Sequence, residues 1–327
     1  MKEIGGFFEL ELPINREAYH NDAIMLNTAR NSLEYVLRVE NYKKIYIPYY
    51  ICSSILEAIK KIDIDFEYYA IDENFIPKIN LENLKNDELF LYVNYFGVCL
   101  DNVKLLIKKS KDNKFNLCID NTQAFFIKPN GEDHTIYSAR KFFGVPDGAY
   151  LYTNKRINRN LKKEITYNKS MHLLKRIDIG ANDSYLEFKK NSKLHSNQEI
   201  KEMSNLSRRI LESIDYFTYK KIRNENFKRL DSVLKDYNEL KINIDYIDGP
   251  MIYPFLIKGG EEIKKYLIEN KIYVATYWSE VLGKVEMNSV EEYLVKNLIA
   301  LPIDQRYSDQ EMNLILDLIN KKLSGGY

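Results

Sequence analysis

Lys141 is the side chain with the most reactive chemistry to offer. It lies in Tyr137-Ser138-Ala139-Arg140-Lys141-Phe142-Phe143-Gly144-Val145-Pro146-Asp147-Gly148, between a β-type run and a turn rich in Gly and Pro. The two phenylalanines that follow imply partial desolvation, which lowers an amine's pKa and makes it nucleophilic toward an aldehyde. Ser138, three residues earlier, is placed to hydrogen-bond a phosphate. Asp120 ends the apolar run Leu117-Cys118-Ile119, where an ionised carboxylate needs a cationic partner. The protonated ring nitrogen of a cofactor is such a partner. Further upstream, Leu26-Asn27-Thr28-Ala29-Arg30-Asn31-Ser32 leads a polar turn into a helix. Its free N–H groups and helix dipole make an anion site, to which Thr28, Arg30 and Ser32 add donors. Singly, these are an N-cap, a turn-capping Asp and a surface lysine. In this order, with the lysine about 20 residues after the Asp, each has a separate task in holding one cofactor.

The elements that must position them alternate. Residues 31–40 carry Leu33, Val36 and Leu37 at helical spacing. Strands are predicted at 44–48, 66–71, 88–95, 116–120, 135–139 and 148–153, with helices at 53–62 and 101–110. Such alternation implies a parallel α/β sheet, and ligands bind at the C-terminal edge of one. Residues 154–236 turn polar, Lys-rich and helical, and 182–201 read as a mobile cover or a solvated insertion. Strands return at 251–257, 272–275 and 298–303, between helices at 261–270, 289–297 and 308–322. The expected division is a large domain over residues 15–236 and a small α+β domain over 237–327.

Composition narrows the function. The 327 residues hold 48 Lys plus Arg against 47 Asp plus Glu, a net charge of +1. That balance gives no global attraction to nucleic acid or to an acidic membrane. There is no apolar run long enough to span a bilayer, and Glu9 and Glu11 break the N-terminal apolar stretch, so no secretory signal is expected. Cys52, Cys99 and Cys118 are not in CxxC spacing, and the four histidines form no HxxxH or HxH cluster. Neither a disulfide framework nor a metal site is expected, and a cytoplasmic setting is the simplest.

On these residues the chain resembles the fold-type-I pyridoxal-phosphate enzymes, and among them the DegT/StrS-type sugar aminotransferases. The Thr28-Ala29-Arg30-Asn31-Ser32-Leu33 segment is similar to that family's phosphate-binding turn. Ile47-Pro48-Tyr49-Tyr50-Ile51-Cys52 resembles the strand and loop that stack on the cofactor ring, with Cys52 where an aromatic is usual. Asn94-Tyr95-Phe96-Gly97 resembles the segment after the next buried strand. Asp120 with Gln123 resembles the D-x-x-[HQ] pair that contacts the ring nitrogen and the phenolic oxygen. Lys141, in S-x-x-K-x-x-x-x-P-x-G, resembles the Schiff-base lysine. Ser138 stands closer to it than is common. Glu202 precedes Met203-Ser204 where many members have Arg, and Asp304 stands where His is common. Residues 272–278 and Ala300-Leu301-Pro302 look like small-domain markers.

The resemblance implies a homodimer with a shared active site and residues 1–14 as an arm packing on the small domain. It implies pyridoxal 5'-phosphate held by Thr28, Ala29, Arg30, Cys52, Asp120, Gln123, Ser138 and Lys141, with Lys141 and Asp120 catalytic. The implied activity is transfer of an amino group from glutamate to a keto sugar, nucleotide-linked and destined for a surface glycan. Tyr95 and Trp278 are candidate substrate contacts, against a plainer role in packing. Two alternatives stay open: another reaction of this cofactor, such as a lyase, aldolase or dehydratase, and a descendant without catalysis. A dehydratase relative carries His in place of the lysine, so Lys141 argues against that one.

Overall fold

The structure, a computed structural model, describes residue 4, residues 6–13 and residues 17–324. Strand β1 (Ile24–Leu26) leads into helix α1 (Ala29–Glu40), whose Leu33, Val36 and Leu37 are buried as their spacing predicts. Then follow β2 (Lys44–Pro48), α2 (Ile55–Ile62), β3 (Asp65–Ile71), β4 (Pro77–Lys78), β5 (Glu88–Val93), α3 (Leu100–Asn113), β6 (Asn116–Asp120), β7 (His134–Ser138) and β8 (Ala149–Tyr152). They form one eight-stranded sheet in the order β1-β8-β7-β6-β5-β2-β3-β4. The five strands from β7 to β3 are parallel, whereas β8, β1 and β4 run antiparallel to their neighbours. The expected α/β sheet is therefore mostly parallel, with antiparallel strands at its two edges. Leu89 to Val93 are at most 1% exposed, the continuous burial a strand covered on both faces requires.

Past the sheet the chain is helical: α4 (Met171–Leu194), α5 (Asn205–Glu212) and α6 (Tyr216–Leu234). Gly180, at φ 84° and ψ −175°, breaks α4 into two arms. The arms bury His172, Ser184 and Asn191 and expose Ile177 and Leu186 at 82% and 68%. A second, antiparallel sheet pairs β9 (Ile252–Leu256) with β10 (Leu298–Pro302). Helices α7 (Gly260–Glu269), α8 (Val290–Asn297) and α9 (Asp309–Ser324) accompany it. Its core joins Tyr253, Phe255, Ile263, Leu267, Ile299 and Ile315 with Phe227, Leu230 and Leu234 of α6, so it reaches back across position 236.

The strand expected at 272–275 reduces to one bridge, Ala275 to Ala300. Lys271 and Trp278, both in the left-handed region at φ 63° and 54°, bracket the segment and keep its extended part short. Of the expected N-terminal arm, residues 4 and 6–13 carry neither helix nor strand, and the other positions up to 14 lie outside the described residues. Glu9 pairs with Arg209 of α5 at 3.2 Å.

Candidate active site

The parallel strands deliver their C-terminal ends to one edge of the sheet. Asp120 is the last residue of β6 and Ser138 the last of β7. The register Asp120↔Ile136 and the bond from Asn121 N–H to the Ile136 carbonyl (2.8 Å) lock these two ends together. After Ser138 the backbone turns through a short 3-10 helix, Ala139–Lys141, closed by the Phe142 and Phe143 N–H groups on the Ala139 carbonyl. This turn swings Lys141 back over the end of β6. There its Nζ donates to Thr122 Oγ1 at 2.8 Å, and the Thr122 N–H donates to Asp120 Oδ1 at 2.9 Å. Two residues of one segment and one of the next thus form a chain: carboxylate, backbone, hydroxyl, amine.

Burial is the chief cause that lowers the Lys141 pKa; Asp120 and Cys52 oppose it, and Arg140 adds to it. Yet the side chain is exposed. Both hold for an amine walled closely by protein but reached by water from one side. Solvent access limits the shift, so the direction carries the argument. Cys52 is a free thiol on the loop after β2, close enough to bear on the amine's charge. Two surface depressions, of about 470 and 100 Å³, lie elsewhere: the first is lined by Arg38 and residues 155–159, the second by residues 73–75 and 240–243 among others. The reactive group is an open one in the single chain.

Gln123 is fully buried beside this chain of contacts. Its Oε1 accepts from the Phe96 N–H at 2.9 Å, and its Nε2 has no partner among the described residues. Burying an amide donor unpaired costs about 1–3 kcal/mol. The turn that reaches it, Asn94 to Gly97, needs positive φ at Phe96 (58°) and Gly97 (78°). A Cβ on Gly97 would stand 3.0 Å from the Gln123 carbonyl.

At the start of α1, Thr28 Oγ1 accepts from the Asn31 N–H at 3.2 Å, so this hydroxyl is an N-cap. The N–H groups of Ala29 and Arg30 have no acceptor among the described residues. Arg30 is paired with Glu57 at 2.6 Å. The Ser138 hydroxyl has no protein partner among the described residues, and Ser32 Oγ is spent on the Thr28 carbonyl. Tyr95 and Trp278 are brought together, but inside an aromatic cluster. Tyr95 is 0% exposed with its OH on the Tyr50 carbonyl, and Trp278, 9% exposed, meets the Tyr50 ring edge-on at 4.6 Å.

Three further residues stand at the site without having been singled out in the sequence. Thr122 holds the amine. Arg140 is partly buried and has no hydrogen-bond or ion-pair partner among the described residues; burial and the charge of Arg30 push its pKa down to about 10. Gln305 donates to the Phe142 carbonyl at 2.9 Å and accepts from Arg223 Nε at 3.0 Å, which ties the second sheet's surroundings to the lysine turn. Thr122 was within reach, since it follows Asp120 by two residues; Gln305 carried no local signal.

No family model matches the chain, and no curated protein matches it. Solved structures do. A DegT DnrJ EryC1 StrS aminotransferase from Brucella abortus superposes with a TM-score of 0.62 at 13% identity, over 91% of this chain and 85% of that one. NtdA from Bacillus subtilis with bound cofactor PMP gives 0.65 at 15% identity, over 91% and 73%. The sugar aminotransferase CalS13 from Micromonospora echinospora gives 0.62 at 11% identity, over 91% and 87%. Identity this low speaks for the architecture, and the chain has the fold-type-I architecture of the pyridoxal-phosphate aminotransferases.

Proposed function

We propose that this protein is a pyridoxal-phosphate-dependent aminotransferase of the DegT/StrS type acting on a keto sugar. The observation that carries the reading is the Lys141–Thr122–Asp120 chain at the strand ends of this fold, beside the unpartnered amide of Gln123. These residues fit the cofactor: an amine of lowered pKa for its aldehyde, a carboxylate for its ring nitrogen, and a buried donor for its phenolic oxygen. Bound there, the cofactor supplies an aldehyde that condenses with amines and a ring that takes up an electron pair. Asp120 would hold the ring nitrogen protonated, which is what lets the ring accept those electrons. Lys141, once its Nζ is free, would be the base placed to take the proton from the donor's Cα and to give it back. Thr122 steers that Nζ through the bond it already makes. Ser138 and the first N–H groups of α1 receive the phosphate.

The donor in this reading is glutamate, and the acceptor a nucleotide-linked keto sugar for a surface glycan, as the family resemblance suggests. A homodimer with a shared active site accords with the openness around Lys141. The exposed apolar residues of α4, Ile177, Leu186 and Tyr185 among them, are what an interface between copies would cover. The neutral overall charge and the few scattered cysteines suit a cytoplasmic enzyme without nucleic-acid or membrane partners. No helix among the described residues is long and apolar enough to cross a membrane.

The test is the absorbance spectrum of the protein with pyridoxal phosphate, for wild type and Lys141→Ala, before and after glutamate. A lysine-dependent band that glutamate bleaches is the expected result. A lysine-dependent band that no amino donor alters would replace the transaminase with another reaction of the same cofactor. No band at all would end the enzyme reading.

A further inference from the structure

Arg140 and the residues around the start of α1 form a corner in which Arg30 is ion-paired with Glu57 and Arg140 is in no ion pair among the described residues. Gly148 joins the two parts of it. Its N–H donates to the Asn27 carbonyl at 2.8 Å, and its carbonyl accepts from the Ala139 N–H at 3.1 Å. The residue before Thr28 and the residue before Arg140 are therefore one strand apart. The segment after α4 crosses the same place. Lys201 and Glu199 carbonyls accept from Asn27 N–H (3.0 Å) and Asn31 Nδ2 (2.8 Å), and the Asn197 N–H donates to Glu57 Oε2 (3.0 Å), whose other oxygen holds Arg30.

The end of α4 turns buried polar groups into this corner. His195 is 1% exposed and neither ring nitrogen makes a well-formed hydrogen bond, though the Pro146 carbonyl is near. Asn191, one helical turn earlier on the same face, is 3% exposed, and neither amide atom has a partner among the described residues. After burial, the charges of Arg140, Lys169 and Arg30 are what hold the His195 pKa down at about 3. A guanidinium in no ion pair, with Asp147 as the one carboxylate that bears on its charge, joins two helix N–H groups without acceptors and two buried polar side chains without a well-formed hydrogen bond among the described residues, and together they make one complementary surface for a dianion.

We propose that Arg140 is the cation that receives the cofactor's phosphate at the start of α1, with Asn191 and His195 of α4 closing the corner over it. This rests on the pyridoxal-phosphate reading, and it gives α4 a role in binding. Arg30, already paired with Glu57, is then a support for the corner and not the phosphate's main counter-ion.

The experiment compares the affinity of the full-length protein for pyridoxal phosphate and for pyridoxal, which lacks the phosphate, by absorbance titration. Wild type is expected to prefer the phosphorylated form. In Arg140→Gln that preference, the ratio of the two affinities, falls roughly 10- to 100-fold, the value of one charge-assisted contact, and any change at the Lys141 amine affects both compounds alike and leaves the ratio untouched. His195→Glu serves as a second variant that supplies Arg140 with a counter-ion and so keeps the corner neutral. It is expected to melt no lower than wild type and to lose the same preference. A wild-type preference in either folded variant overturns the proposal while leaving the cofactor reading intact. If wild type binds neither compound, both fall together.

Discussion

Thr122→Val isolates the contact that sets the reactivity of Lys141. Valine keeps the shape of the side chain and the backbone N–H that donates to Asp120, and removes only the hydroxyl 2.8 Å from Nζ. A hydrogen bond to a charged group contributes about 1.5–3 kcal/mol. Because Lys141 is exposed, water replaces much of what is lost, and about 1 kcal/mol remains. The sign follows from the acceptor. Thr122 Oγ1 favours the ammonium over the amine, so its loss favours the amine and lowers the pKa further in the direction burial already drives it. One kcal/mol is roughly a factor of five in the neutral fraction. The variant should therefore condense with pyridoxal phosphate about five-fold faster than wild type at pH values below the amine's midpoint, and the two rates should converge above it. Stopped-flow absorbance across a pH series measures this. A variant that is slower at every pH would show that Thr122 orients the amine more than it charges it, and would refute the electrostatic argument.

Two other outcomes follow from buried groups. Arg223, 1% exposed, donates to the Pro250 and Met251 carbonyls and to Gln305, and stacks on the Phe142 ring at 4.7 Å. Arg223→Met leaves those acceptors unpaired while relieving a buried charge, for a net loss of about 2–3 kcal/mol and a Tm lower by roughly 3–4 °C; a Tm within about 1 °C of wild type would contradict it. His20 and His195 are held neutral by burial, each with its pKa lowered to about 3 from 6.5. Their contribution to stability is whole above the unfolded value and is lost as pH falls toward 3, because the unfolded chain takes up the protons first. Between about pH 7.5 and 5.5 the two together should cost roughly 3 kcal/mol, and His195→Gln should remove about half of that slope in denaturant titrations.

The position of the candidate site was legible because its residues lie at strand ends. The runs 88–93 and 116–120 announce buried strands by their apolar content, and a residue that ends such a run, as Asp120 does, is thereby placed at the sheet's edge. Lys141 could be read from the same rule, one turn past β7. What stayed hidden depends on contacts between distant segments. The surroundings of Arg140 include His195, just past the end of α4 and over fifty residues away. The occupation of Arg30 by Glu57 and the burial of Tyr95 and Trp278 in one aromatic cluster likewise have no local signature. The edge strand β1 escaped because three residues are too few to show a period. The segment 272–275 looked like a strand because propensity does not register the left-handed residues that bracket it.

The bond from Gln305 to the Phe142 carbonyl has a mechanical side. Gln305 follows β10, Arg223 lies on α6, and both hold the residue next to the lysine. Any tilt of the second sheet against the first is geared to the backbone that carries Nζ. A substrate that drew the two units together would also move the nucleophile, and one too small to do so would leave it where it stands.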